Sequence, residues 1–510
     1  MLVRLPGNAA NHYPHFLKVG VAVVRFQEAP GNGHGTARAQ EPSMQNYRLE
    51  AWAVTEFGDA SLGDARRTER LIHLASVLGA QPSASLPDAS DDPATLKAAY
   101  RFFDNDAVDP AQILASHVRA TTARVRQVPL VLAVQDSTYL DWTAHGATTG
   151  LGPLATLHQQ GLLAHTTLAI TPERVPLGLL AQEVWARDAA SFAQKGAPKQ
   201  RPIDEKESQK WLTSLAAVAK LHADCPATHI VSVGDAEADV YDLFIAPRPN
   251  GVDLLVRAGQ NRRVAQQETE LWAAVERAPI VTERVVRVPR RDGHAARTAT
   301  LTVQWQAVTL RPPKHRSAEG LADVALWAVL AVEAAPPAGV EAVKWLLLTT
   351  VPVETTADAL ERLDWYECRW GIEVWHKVLK SGCKIEARQL ESAARLKRCL
   401  ALYGVIAWRI LYGTMLARAV PDAPCSLLLE EDEWQALYCA IHRRSTPPVE
   451  PPTIRTAVRW LGQLGGFLGR KGDGEPGVTV LWRGFQHLVD LTTMYRIMRP
   501  PSPHRNVGND

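Results

Sequence analysis

Two aspartates stand directly behind short apolar runs rich in β-branched residues. Asp136 lies in Val134-Gln-Asp-Ser-Thr138, after the run from Val128 to Val134, and Asp235 lies in Val233-Gly-Asp-Ala-Glu-Ala-Asp239, after the run from His229 to Val233. Runs of this kind read as buried strands of an α/β sheet, and the ends of such strands are where α/β folds build their sites. Two carboxylates brought together at a sheet edge repel each other unless a divalent cation neutralises them. Taken singly, each aspartate could equally do no more than cap the turn behind its strand.

A second group is more specific. Tyr366, Arg369, Glu373 and Lys380 lie in a stretch without proline and rich in helix formers. At about 100° per residue, Arg369, Glu373 and Lys380 fall about 60°, 20° and 40° from Tyr366, so one helix would carry all four on a single stripe. The ordinary expectation for such a stripe is a solvated face with paired charges. Here Trp365, Trp370, Ile372 and Trp375 make the rest of the helix apolar, and a polar line on an apolar helix marks a site. A third feature is charge: from Arg284 to Arg316 eight Lys or Arg stand against one acid, Asp292. A β-ribbon carrying that excess could lie along a phosphate backbone, with an affinity that falls as salt rises. A solvated hairpin is the plain alternative.

The elements that must hold these residues follow from periodicity. From Ala51 to about Arg126 the signals are helical, and Arg66, Arg67 and Arg70 share a helix with Leu71, Ile72, Leu74 and Ala75. Further strands are expected over 162–170, 175–185, 254–256, 285–288, 299–305, 325–332 and 345–350, and a helix over 205–221. After Asp358 the chain reads as helical, broken by the proline-rich joint from Thr446 to Thr453.

Length and composition bound the rest. The chain has 510 residues and 55.9 kDa, 46% hydrophobic and 22% charged, with a formal net charge of +2. That is globular chemistry spread over several domains, and it excludes wholesale disorder. The apolar run from Cys399 to Trp408 is expected to be a buried helix, and no secretory leader is evident, so a cytoplasmic protein with no membrane partner is expected. The six cysteines, at 225, 368, 383, 399, 425 and 439, form no C-x-x-C pair, which argues against a zinc ribbon or disulfide scaffold and fits a reducing compartment. Residues 1–43, rich in Gly, Pro, His and Ala, are expected to be a disordered tail, and Met44 a possible true start.

Together these residues resemble the DDE transposases of the IS-four (Tn-five-like) group. Asp136-Ser-Thr138 matches that family's first catalytic motif, Asp235-Ala-Glu-Ala-Asp239 its second, and Tyr366, Arg369, Glu373 and Lys380 its Y-(2)-R-(3)-E-(6)-K motif. The likeness runs in order from Leu62-Gly-Asp-Ala-Arg-Arg-Thr68 through Tyr100-Arg-Phe102, Lys210-Trp-Leu212 and Trp345-Leu-Leu-Leu-Thr349 to Leu464-Gly-Gly-Phe467. It implies an α/β, RNase H-like (retroviral-integrase-like) core over 127–420 with a β-rich insertion at about 260–350. It further implies an α-helical DNA-end-binding domain over 44–126 and a helical dimerisation domain over 421–510. By resemblance, Asp136, Asp235 and Glu373 would hold two Mg²⁺, with Mn²⁺ a possible substitute, for nicking, hairpin formation and strand transfer in a cut-and-paste reaction. Tyr366, Arg369 and Lys380 would grip phosphates, Trp345 would stack a flipped base with Arg257 nearby, and Arg66, Arg67 and Arg70 would contact the terminal inverted repeats. Partners would be double-stranded DNA, both transposon end and target, and a second copy of the chain. One departure is Ala236, where the family often has Arg.

Two other readings compete. A catalytically silent DNA-binding relic or regulator would tolerate loss of an acid, yet all three are present. An aspartyl-phosphate phosphatase wants Asp-x-Asp at the first strand, and here Thr138 stands two residues after Asp136.

Overall fold

A computed structural model describes residues 51–90, 92–193, 202–265, 269–288 and 295–498. The expected N-terminal tail and, within the basic ribbon, Arg290, Arg291 and Asp292 lie outside these residues. The chain divides into two compact units: one holds Val118–Lys380 and Ile385–Lys397, the other holds Ser381–Lys384, the described residues up to His117 and those from Arg398 onward.

The first unit is built on one mixed sheet. Its strands are β1 Leu130–Asp141, β2 Gly152–Pro153, β3 Gln160–Ile170, β4 Pro176–Trp185, β5 His229–Gly234, β6 Val252–Arg257, β7 Thr282–Val288, β8 Arg297–Leu310, β9 Val324–Glu333 and β10 Lys344–Thr349. They are ordered β2-β3-β1-β5-β6-β10-β9-β8-β7, with β4 on β3. β1, β5 and β6 run parallel, and β10 pairs antiparallel with both β6 and β9. Every strand predicted from the sequence is present. Val131 to Val134 are wholly buried, which is why a continuous apolar run rather than an alternating one marks a strand covered on both faces. β7, by contrast, alternates between exposed and half-buried residues at the sheet's edge. The strands expected as an insertion do not form a separate layer: β10 lies between β6 and β9, so β9, β8 and β7 extend the same sheet.

Three expectations are corrected. β1 does not stop before Asp136 but continues to Asp141, because β3 pairs with it over Leu132 to Asp141 while β5 pairs only as far as Val134. The helix expected over 205–221 begins at Gln209, behind a short 3-10 turn at Ile203–Glu205. The single helix expected through Tyr366 and Lys380 is three pieces: Thr356–Glu367, Trp370–Lys377 and a π-helical turn Val378–Gly382. Between the first two, Cys368 and Arg369 donate to carbonyls three residues back, a 3-10 tightening that shifts the register of a wheel.

The second unit is helical. Its elements include Ala51–Phe57, Ala65–Ala80 and Pro93–Asp104 from the N-terminal part, and Glu431–His442, Ile454–Leu464 and Val478–Met498 from the C-terminal part. Asp64 caps the second of these by accepting from the Arg66 N–H at 2.9 Å. Leu71, Leu74 and Leu78 on its inner face are fully buried, each contributing about 1.5–3 kcal/mol. The N-terminal helices pack on the C-terminal ones: the Ala51 N–H donates to Glu430 at 3.0 Å, and the Arg409 guanidinium lies 4.7 Å over the Trp52 ring. The helix Ala393–Ala419, which contains the run from Cys399 to Trp408, is long and apolar enough to cross a membrane, but most of it is buried in protein. A core helix meets the same description.

Candidate active site

Strand register brings the two aspartates together. On β1 and β5, Val134 lies opposite Val233; Asp136 follows two residues on along β1, and Asp235 stands one residue past the end of β5. β5 and β6 carry the row onward, for Gly234 lies opposite Val256, and Arg257 is the last residue of β6. Partners in a parallel register project to the same face, so Asp136 and Arg257 share one face of the sheet, and the Asp235 carboxylate lies near enough to Asp136 to repel it. Gly234 allows the chain to turn sharply here: a Cβ on it would lie 2.4 Å from that of Ala238. Asp235 then caps the 3-10 turn Ala236–Ala238, accepting from the Glu237 N–H at 2.8 Å. Capping and a place in the site are therefore both true of Asp235. Its motif partner Asp239 is used structurally, buried and accepting from the Gly259 and Gln260 N–H groups and from Arg262 Nε.

Glu373 and Arg369 arrive from above the sheet. The helix Trp370–Lys377 lies close over β1 and β3, and at Gly371 a Cβ would sit 2.5 Å from Ile170 Cδ1, so a larger residue there would have to push that side-chain end aside. Arg369, buried at the start of this helix, reaches both acids: Nη2 donates to Glu373 Oε1 at 2.7 Å and Nη1 lies 3.5 Å from Asp136 Oδ2. The Asp136 carboxyl is pushed up to about 6, first by burial, with Arg369 and the Ser137 N–H pulling it back and Asp235 and Glu373 pushing it further. That repulsion places the three acids in one electrostatic neighbourhood. Among the described residues, however, no three His, Cys, Asp or Glu side chains are drawn together as a ready metal cluster.

The other expected residues fall around this core. Tyr366 is buried beside Arg369, its hydroxyl makes no well-formed hydrogen bond among the described residues, and burial raises its pKa while Arg369 pulls it back. Its ring meets Trp345 edge-on at 6.0 Å. Trp345 and Arg257 belong to paired strands, with Leu347 opposite Arg257, so both lie on the face that carries the aspartates. Lys380, on the π-helical turn, donates to the Tyr139 carbonyl and lies 3.5 Å from Glu386. Trp370, expected on the apolar side of its helix, is instead 42% exposed beside the Arg369 guanidinium. Arg66, Arg67 and Arg70 belong to the helical unit; Arg66 is exposed and paired with Asp64, and Arg67 donates to the Leu62 carbonyl.

The basic ribbon is less free than its sequence implies. Arg284 pairs with Asp364 and Glu367, Arg297 with Glu333, and Arg316 with Asp242 and Glu319. Most of these acids come from distant segments, which a local charge count does not see.

Two features went unpredicted. Glu386 accepts from the Asp141 N–H and faces Lys380, with no local signal in the sequence. On the opposite face of the sheet, a buried polar chain links Ser137, His165, Gln135 and Ser232, with His165 against the Trp211 ring. Burial lowers His165 to about 3, so it is neutral. A Gln, a His and a Ser within apolar strands were the available signal.

Comparison with known families agrees with this architecture. Residues 49–108 match the family described as Transposase DNA-binding, residues 204–408 the Transposase DDE domain, and residues 405–502 the Transposase Tn5 dimerisation domain. The chain belongs to the IS-four, Tn-five-like DDE transposases. The transposase thus has an RNase H-like core with helical flanks, and it is a divalent-metal-dependent enzyme that cleaves and transfers DNA, binds DNA and forms dimers. The DDE match takes in Asp235, Arg257, Trp345, Tyr366, Arg369, Glu373 and Lys380, and Asp136 lies ahead of it; the DNA-binding match takes in Arg66, Arg67 and Arg70.

Proposed function

We propose that this transposase excises its element by a cut-and-paste route, recognising terminal inverted repeats, cutting both strands through a hairpin intermediate and joining the freed end to target DNA. Asp136, Asp235 and Glu373 are the catalytic acids in this reading. The observation that carries it is the gathering of Asp136 on β1, Asp235 just past the end of the parallel strand β5, and Glu373, which shares the Arg369 guanidinium with Asp136.

The acids suit divalent cations, because Asp235 and Glu373 both raise the proton affinity of Asp136, and a cation among such oxygen-bearing side chains relieves that repulsion. Asp136, Asp235 and Glu373 would hold two Mg²⁺, or Mn²⁺ in their place, and such ions supply an activated water or 3′-hydroxyl and a stabilised leaving oxygen. The protein's own part is positional. Arg369 and Lys380 offer cations for phosphate, and the Tyr366 hydroxyl beside Arg369 offers a donor. Trp345, half-buried against Tyr366, offers a face on which an unstacked base can rest with Arg257 near. Arg66, Arg67 and Arg70 would contact the terminal repeat, and a second copy of the chain would pair through the C-terminal helices. The reaction would take place in the cytoplasm, at the nucleoid.

The test is a labelled duplex carrying the element's own end, incubated with Mg²⁺ and run on a denaturing gel beside Glu373→Gln. A nick at the end followed by a hairpin-sized product, both absent in the variant, is expected. Binding without cleavage by the unaltered protein would overturn the reading.

A further inference from the structure

The acids are not free to take a metal as they stand. Between Asp136 and Glu373 lies the Arg369 guanidinium, 2.7 Å from one carboxylate and 3.5 Å from the other, with only 8% of its side chain exposed. Ions of the Mg²⁺ class bind carboxylate oxygens at about 2.1 Å, so a cation bridging these two acids needs the space that the guanidinium fills. Its Nε has no hydrogen-bond partner among the described residues, and its open side faces the exposed Trp370 ring at 5.2 Å. The Tyr366 ring lies 6.0 Å away on another side, so the fork is held by the acids and Tyr366, and incompletely.

We infer that Arg369 is the resting counter-ion of Asp136 and Glu373, and that it is exchanged for the divalent cation when DNA arrives. Without Arg369, the partly buried Asp136 carboxylate and the more exposed Glu373 carboxylate would be left without the cation that both contact, at a cost in repulsion. With it, they are gathered in advance but blocked. A phosphate oxygen pair is the other natural partner of a planar guanidinium. When the phosphate of a DNA end takes the fork, the carboxylates are released for the cation, and loading of metal and loading of DNA become coupled. By linkage the coupling is reciprocal: metal strengthens the hold on the end as the end strengthens the hold on metal. Cation occupancy without DNA is thereby suppressed, which restrains strand cleavage until an end is in place. Arg369 acts here as a positioning residue, through the acids.

This inference rests on the assignment of Asp136 and Glu373 as metal ligands, and the experiment separates the two. Mn²⁺ alone is titrated into the full-length protein without DNA, and free Mn²⁺ is read by its electron paramagnetic resonance signal. Asp136→Asn, Arg369→Gln and Arg369→Lys are measured alongside. Arg369→Gln is expected to bind Mn²⁺ on the order of tenfold more tightly than the unaltered protein, a coupling of ordinary size. Arg369→Lys, which keeps the charge but loses the fork, is expected to fall between them and serves as the test if Arg369→Gln does not fold. Mn²⁺ binding that depends on Asp136 but is unchanged or weakened in both Arg369 variants overturns the exchange and leaves the metal site standing. Mn²⁺ binding indifferent to Asp136→Asn overturns the metal site itself.

Discussion

Asp136 on β1 and Asp235, one residue past the end of β5, come within electrostatic reach of each other because these strands run parallel with Val134 opposite Val233. Neither residue's local sequence states this; hydrogen bonding between β1 and β5 does. β1 then runs on with β3 alone on its flank, which leaves the β5 side of Asp136 open to what lies beyond the end of β5. The candidate chemistry is concentrated at that step in the sheet.

If the three acids act as one unit, their removal should be equally damaging. Asp136→Asn, Asp235→Asn and Glu373→Gln are each expected to lower strand cleavage about a thousandfold or more, the equivalent of about 4 kcal/mol, while end binding in a gel-shift assay stays within a few-fold. A variant that keeps near-normal cleavage removes that residue from the metal set.

The Asp136 carboxyl has a consequence for stability. Its pKa is raised from 3.8 to about 6, so between about pH 4 and pH 6 the folded state holds a proton that the unfolded state has lost. Stability from this group falls as pH rises through that window, by up to about 3 kcal/mol, and stays lower above it. In EDTA, Asp136→Asn should therefore raise the melting temperature at pH 7.5 and leave it unchanged near pH 3.5. An equal effect at both pH values would place the cause in packing instead.

Tyr366 separates folding from grip. Its buried hydroxyl makes no well-formed hydrogen bond among the described residues and has the Arg369 guanidinium beside it, so Tyr366→Phe should change stability by less than about 1 kcal/mol. If the hydroxyl serves the DNA end, the same substitution should weaken end binding by about 1 kcal/mol, roughly fivefold. Fluorescence anisotropy beside a denaturant titration checks both.

Asp239 should behave as a strut. It accepts from two backbone N–H groups and from Arg262 while buried, so Asp239→Ala is expected to cost about 3–5 kcal/mol of stability in urea unfolding. Wild-type stability in the variant would show that Asp239 matters for something other than the loop after β6.

Arg284 and Arg66 should part company. Arg284 is committed to Asp364 and Glu367, and Arg284→Ala should lower stability without changing the salt dependence of DNA binding. Arg66 is exposed, and Arg66→Ala should reduce the slope of log K against log salt by about 1 if it meets a phosphate. An unchanged slope removes Arg66 from the interface.

The sequence by itself determined the strands, the helical flanks and the residue types of the site, because those depend on local patterns: apolar runs such as Val131 to Val134, and the spacing of Tyr366, Arg369, Glu373 and Lys380. It also carried the family, through short motifs whose chemistry needs those side chains in that order. The tertiary structure alone decided which groups meet. Strand register set Asp136 beside Asp235, a 3-10 tightening at Cys368 and a π-helical turn after Lys377 re-aimed a helix that a uniform wheel would keep straight, and distant acids neutralised arginines that looked free. The physical reason is range. Periodicity and capping act over a few residues along the chain, whereas register, burial and ion pairing act between residues far apart in sequence, such as Arg284 and Glu367, which only the folded chain brings within reach.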